Sequence, residues 1–95
     1  MTAYFTARFT VKDPEALAEY SKAAAPIIAE HGGKLLFKGG ADGALSGETA
    51  QPNIAMFAFP STEAITTFFN SPDYQALSSL RAKGADMFLS AHEGT

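Results

Sequence analysis

The chain has 95 residues, enough for one domain with its own core. It is 46% hydrophobic and 18% charged, which is typical of a globular and not a disordered protein. The net charge of −3, with no cluster of Lys and Arg, argues against a nucleic-acid or anionic-membrane partner. The absence of cysteine excludes disulfides, thiolate catalysis and cysteine zinc sites. With no signal-peptide pattern and no long apolar run, we expect a soluble cytoplasmic protein.

The first part of the chain predicts a strand followed by a helix. Apolar and polar residues alternate from Ala3 to Val11, the pattern of a strand with one buried face. Asp13 and Pro14 then predict a helix start, since Asp is a good cap and Pro suits the first helical position. Gly32 and Gly33 predict its end, because glycine readily adopts the left-handed conformation that closes many helices.

A second strand is predicted over residues 34–38. Strict alternation places Leu35 and Phe37 on one face and Leu36 and Lys38 on the other. Two glycines at 39 and 40 predict a break or a bulge. Residues 41–47 indicate a weak continuation of the strand, and residues 48–53 a polar loop.

Residues 54–59 form an unbroken apolar run that predicts a central strand covered on both faces. Pro60 ends the pairing, and Ser61 can cap a helix with a buried apolar stripe. Ser71 and Pro72 predict that the helix restarts there. The final strand is predicted over residues 86–92.

The predicted order β-α-β-β-α-β is that of the α+β, ferredoxin-like fold, with an antiparallel sheet and both helices on one face. The helices leave the second face of the sheet open, although Leu36 and Phe88 point toward it and the third strand is apolar on both faces. A monomer would therefore expose a large apolar patch. We predict a homodimer through this helix-free face, in which two sheets form a barrel whose interior offers a small-molecule pocket.

Four side chains are candidates for ligand binding. Arg8 lies on the face opposite Phe5 and can hold a carboxylate or an enolate, or form an ion pair at the dimer seam. Lys38 can do the same, or stand at a solvated strand end. His92 can move protons near neutral pH, or be an exposed histidine at a fraying strand end. Tyr4 can donate a hydrogen bond into the pocket, or be an aromatic residue of the seam.

The sequence predicts no cofactor and no metal site. His31 ends a helix, where a partly charged imidazole suits the helix dipole. The two histidines are not spaced as metal ligands. No P-loop, G-x-G-x-x-G or G-x-S-x-G motif occurs. A haem-binding variant, with His31 or His92 as the iron ligand, is a further alternative.

Three segments resemble the DUF1330 family of the dimeric α/β-barrel superfamily: DPEALAEY, HGGKLLFKGG and FPSTEAITTFFNSPDYQALSSLR. The resemblance covers nearly the whole chain and implies a single DUF1330-like domain over residues 1–95 that dimerises. The family has no well-established activity. Its superfamily includes cofactor-free monooxygenases, muconolactone isomerases and haem-degrading enzymes.

The chain departs from the family's charges at three positions. The family commonly has arginine where Lys38 stands, and often glutamate in the positions of Ser46 and Ala58. Inherited carboxylate chemistry is therefore in doubt. The first hypothesis is a protein that binds a small molecule in the barrel. The alternatives are a cofactor-free monooxygenase- or isomerase-like enzyme acting on a small aromatic or polyketide-like compound, and a non-catalytic structural dimer.

Overall fold

The structure is a computed structural model that describes residues 2–40, 45–48 and 51–94. Strands and helices alternate along the chain as the sequence predicts. Their bounds are β1 (Ala3–Val11), α1 (Pro14–Glu30), β2 (Lys34–Gly39), β3 (Asn53–Phe59), α2 (Thr62–Asn70), α3 (Pro72–Gln75), α4 (Ser78–Gly84) and β4 (Ala85–Glu93).

The four strands form one antiparallel sheet in the order β2-β3-β1-β4. The central strand β1 pairs Ala3 with Phe59 of β3 on one side and with Glu93 of β4 on the other. The helices cover one face of this sheet, with α1 packed beside α4 and α2 packed against β1 and β4. This arrangement confirms the predicted α+β, ferredoxin-like fold.

Side-chain caps begin the helices where the sequence predicts them. The Asp13 Oδ1 atom accepts hydrogen bonds from the backbone N–H groups of Glu15 and Ala16 at 3.1 and 3.3 Å. The Ser61 Oγ atom accepts from the Ala64 N–H at 3.0 Å. At the other end of α1, Gly32 has a φ of +84°, the left-handed conformation that ends a helix.

The helical segment after Pro72 is divided in two, whereas the sequence indicated one piece. The Ser71 Oγ atom accepts from the Tyr74 N–H at 3.3 Å and donates to the Phe68 carbonyl at 2.7 Å, as expected of a cap that joins two helices. The Leu77 N–H then donates to the Tyr74 carbonyl, only three residues back, at 2.9 Å. This tight turn ends α3, and α4 begins at the next residue.

Aromatic rings fill the core between the sheet and α2. The rings of Phe68 and Tyr74 are fully buried, and their centroids are 4.4 Å apart. Phe68 also contacts Phe5 at 5.5 Å and Phe59 at 5.6 Å between ring centroids. These contacts tie α2 and α3 to the two central strands.

A β-bulge in β2 corrects the predicted orientation of its side chains. The pairing with β3 slips after Leu35, so that Phe37 lies opposite Met56 and Lys38 opposite Ala55. The extra residue inverts the alternation beyond it. Phe37 is therefore turned to the helix-free face and Lys38 to the helix side. The prediction that Lys38 shares a face with the even-numbered residues of β1 is wrong for this reason.

Leu36 lies within the shifted pairing between Leu35 and Phe37 and is 47% exposed. Phe37, 49% exposed, lies on the helix-free face. The weak strand predicted after Gly40 falls mainly on residues 41–44, outside the described residues. Residues 45–47 are bends.

In the described part of the chain, no helix has both the length and the apolar character to cross a membrane.

Candidate functional site

A cavity of about 230 Å³ lies between α1 and the sheet. Its walls are mainly apolar. Phe5 and Phe9 of β1, Phe57 of β3, and Leu17 and Ile28 of α1 form much of its surface. The volume is about one and a half times that of a 150 Å³ apolar cavity that binds benzene. The cavity is thus large enough for a compound of one or two rings.

Small side chains on both sides create this space. Ala24 of α1 is 2% exposed, and Ala7 and Ala55 on the central strands are also buried; all three line the cavity. Gly33 lines it as well, at a point where a Cβ atom would lie 2.5 Å from a methyl group of Ile28. Larger residues at these positions would fill the cavity, so its existence depends on residues that face one another across two layers.

Polar groups are few among the described residues that line the cavity. They are Tyr20 and Ser21 of α1 and Lys38 of β2, and Lys38 is the charged one. Every residue of β2 is exposed, because this strand forms one edge of the sheet. Lys38 therefore lies at an accessible margin of the cavity, where the bulge has turned it.

Tyr20 is also part of a buried hydrogen-bond chain. Its hydroxyl oxygen lies 2.6 Å from that of Tyr74, and the Arg81 Nη1 atom donates to the Tyr74 hydroxyl at 3.0 Å. The Arg81 guanidinium also lies 5.5 Å from the centre of the Tyr74 ring. Because arginine only donates, Tyr74 must accept from it. These hydrogen bonds join α1, α3 and α4 at the side of the cavity.

The buried Tyr20 hydroxyl makes the free energy of unfolding depend on pH in the alkaline range. Burial, together with the neighbouring Tyr74, raises the pKa of Tyr20 far above its ordinary value near 10. The unfolded chain therefore loses this proton above pH 10, whereas the folded protein keeps it. The stabilising contribution is present in full below pH 10 and declines by about 1.4 kcal/mol per pH unit above it.

We therefore expect Tyr20→Phe to flatten the decline of the unfolding free energy between about pH 10 and pH 11. Urea denaturation of both proteins at several pH values measures the slopes. All other side chains are the same in both proteins, so the difference between the two slopes isolates Tyr20. Equal slopes in the two proteins would contradict this account.

The other predicted candidates lie on the helix-free face, at two separate places. Tyr4 lies opposite His92, whereas Arg8 lies opposite Phe88 and Ile54. The spacing of four residues along β1 separates Tyr4 from Arg8 by about 13 Å. The Arg8 Nη2 atom donates to the backbone carbonyl of Gln51 at 3.5 Å. With Lys38 on the opposite face, the structure does not bring the four candidates into one site.

A polar ladder crosses the helix-free face beside His92. The Ser90 Oγ atom lies 2.8 Å from the His92 Nε2 atom and 2.6 Å from the Thr6 Oγ1 atom. A hydroxyl bonded to an imidazole is the pairing of a nucleophile with a base. No carboxylate is bonded to His92 in the described part of the chain, so nothing there orients the imidazole as in a triad. The ladder joins β1 to β4.

The remaining histidine and the positions of the missing carboxylates lie away from the cavity lining. The His31 Nδ1 atom is 2.9 Å from the Ile27 carbonyl at the end of α1, the location the sequence predicts. Ala58 lies on the helix-free face opposite Tyr4, and Ser46 is exposed. Among the described residues, no three His, Cys, Asp or Glu side chains cluster to hold a metal ion. The haem alternative stays a prediction.

Sequence reasoning missed the cavity, because the alanines that create it are spread over three elements. The buried positions of α1 include Ala24, and the facing strands carry Ala7 and Ala55. Alanine on one buried stripe is common in packed helices. Alanine on facing positions of a helix and two strands indicates a gap, and this coincidence is visible only when the elements are assembled.

Fold and cavity together define a ferredoxin-like α+β chain with an apolar, small-molecule-sized cavity under its first helix. The chain belongs to the DUF1330 family, described as a domain of unknown function, whose profile matches residues 2–95. This membership confirms the resemblance read from the sequence. No curated protein matches the chain.

Several solved structures share the fold at low sequence identity. A Rhodopseudomonas palustris protein of unknown function has a TM-score of 0.82 and 18% identity, over 99% of this chain and 82% of that one. SnoaB, a cofactor-independent oxygenase from Streptomyces nogalater, has a TM-score of 0.70 and 12% identity, over 99% and 93%. A dimeric ferredoxin-like protein of unknown function from Jannaschia sp. has a TM-score of 0.68 and 12% identity, over 99% and 100%.

Proposed function

We propose that this protein binds a small, mostly apolar molecule in the cavity between α1 and the sheet. The observation that carries the proposal is the cavity itself: about 230 Å³, apolar walls, and a small set of polar side chains at defined points. The sequence pointed to the interior of a dimeric barrel instead. The proposed site lies on the opposite face of the sheet and is formed within one chain.

We also propose that two copies pair through their helix-free faces. Phe88 is 54% exposed and Phe37 is 49% exposed on this face, with Met56 and Ile54 beside them. The molecule measures 33 × 32 × 16 Å, so its broad faces exceed the roughly 800 Å² that each partner buries in a standard interface. The dimeric Jannaschia protein of the same fold supports this assembly.

Two alternatives from the sequence remain predictions. SnoaB, which shares the fold, is a cofactor-independent oxygenase. Of the three residues that the sequence suggested for polarising an oxygen, Arg8, Lys38 and His92, Lys38 is the one that lines the cavity. A structural dimer with an unused cavity is the other alternative. Binding is the function that the geometry supports best, because it requires only the volume and the apolar walls described above.

Filling the cavity tests the proposal. In Ala24→Leu, the larger side chain enters the space beside Phe5 and Phe57. We expect loss of ligand with equal or slightly higher thermal stability, because filling a cavity adds contacts without removing any. The matched control is Ala18→Leu, at an exposed position of the same helix.

The measurement is mass spectrometry of small molecules that co-purify with each protein under native conditions. The proposal predicts a compound that is present with the wild type and Ala18→Leu and is depleted at least about tenfold with Ala24→Leu. The same set of compounds in all three preparations, or none in any, would count against the cavity as the binding site.

A further inference from the structure

We propose that the ligand of this cavity is an aromatic or alicyclic anion whose carboxylate, phenolate or enolate oxygen binds the ammonium group of Lys38. This inference rests on the proposed function and names the class of molecule it would involve. The cavity offers an apolar chamber with one cationic margin, and a molecule with a ring at one end and an acidic oxygen at the other matches both.

The position of Lys38 carries the inference. In an unbulged strand, Lys38 would point to the helix-free face together with Lys34. The bulge turns it instead to the side of Ala55, where it borders the cavity, while Lys34 stays opposite Ala58 on the other face. One strand thus carries two lysines four residues apart, and only the second borders the cavity.

Charge favours the same conclusion. The chain as a whole has a net charge of −3. The positive charge of Lys38 at the cavity is therefore opposite in sign to the net charge of the protein. Within the described residues, the Lys38 ammonium group makes no hydrogen bond or ion pair, and its donors remain available to a ligand. Lys38 is exposed, so its interaction with an anion is partly screened by water and is of moderate strength.

The experiment compares two probes that differ in charge and little in shape: 2-naphthoate, an anion, and 2-naphthamide, a neutral compound. Isothermal titration calorimetry measures both with the wild type, Lys38→Met and Lys34→Met. We expect the wild type to bind 2-naphthoate about fivefold more tightly than 2-naphthamide at low salt. Lys38→Met should remove that preference and leave 2-naphthamide binding unchanged. Lys34→Met should keep the preference.

Ionic strength provides a second readout. The preference of the wild type for 2-naphthoate should shrink when the salt concentration rises from about 0.02 M to about 0.5 M, because the Debye length falls below the range of an exposed pair. The affinity of 2-naphthamide should change little. Lys38→Met should show no such difference between the two probes.

The inference is overturned if Lys38→Met weakens both probes equally, if Lys34→Met has the same effect as Lys38→Met, or if the wild type binds both probes equally. Any of these outcomes leaves the cavity intact as a binding site. Failure of both probes to bind the wild type at millimolar concentration, or undiminished binding to Ala24→Leu, would overturn the proposed function as well.

Discussion

Phe88→Lys is expected to convert the protein from dimers to monomers. Phe88 stands on β4 opposite Arg8 and is 54% exposed in the single chain. In the proposed dimer the new ammonium group would be buried and would face the Arg8 guanidinium, a like charge. Desolvating an unpaired charge costs several kcal/mol. Two-fold symmetry places the change twice in the interface.

The dissociation constant should therefore rise at least about a thousandfold. Light scattering coupled to size exclusion measures the mass directly: twice the 10.0 kDa chain mass for the wild type, and the chain mass for Phe88→Lys. Ala18→Lys, on the exposed side of α1, is the matched control and should stay dimeric. A monomeric wild type at micromolar concentration would refute the dimer.

Gly84→Ala is expected to destabilise the fold by about 2–3 kcal/mol. A Cβ atom at Gly84 would lie 2.7 and 2.8 Å from the backbone N and Cα atoms of Leu17. Backbone cannot move aside as a flexible side chain can. The Gly84 carbonyl also accepts from the Lys12 and Asp13 N–H groups at 2.9 and 3.1 Å, which holds the start of α1 against the end of α4.

Urea denaturation at a fixed protein concentration measures this loss, since association makes apparent stability depend on concentration. Gly39→Ala is the control, because a Cβ atom there has no neighbour within 4 Å, and it should change stability by less than about 0.5 kcal/mol. Similar losses in the two variants would show that the close approach at Gly84 does not limit packing.

Local chemistry made the element order predictable. Asp13, Ser61 and Ser71 cap helices because their short side chains reach the free N–H groups of the first turn, and the structure shows each of these bonds. Pro72 follows Ser71 at the start of α3 as predicted. Such signals act over three or four residues and can be read from the chain alone.

The features that failed to be predicted depend on partners distant in sequence. The bulge after Leu35 is set by pairing with β3, and alternation cannot show on which residue a strand will slip. This bulge determines that Lys38 points to the helix side of the sheet. The cavity depends on Ala24 meeting Ala7 and Ala55 across two layers. Both features depend on residues that meet only in the folded chain, whereas the alternation of apolar and polar residues describes each strand separately.

The site can be located directly by a heteronuclear NMR titration of the ¹⁵N-labelled wild type with 2-naphthoate. The central claim is that a small molecule binds between α1 and the sheet. It predicts the largest amide shifts at Ala24, Ala55 and Phe57, which line the cavity. Shifts concentrated instead at Thr6 and Ser90 on the helix-free face, or no shifts at millimolar ligand, would contradict it.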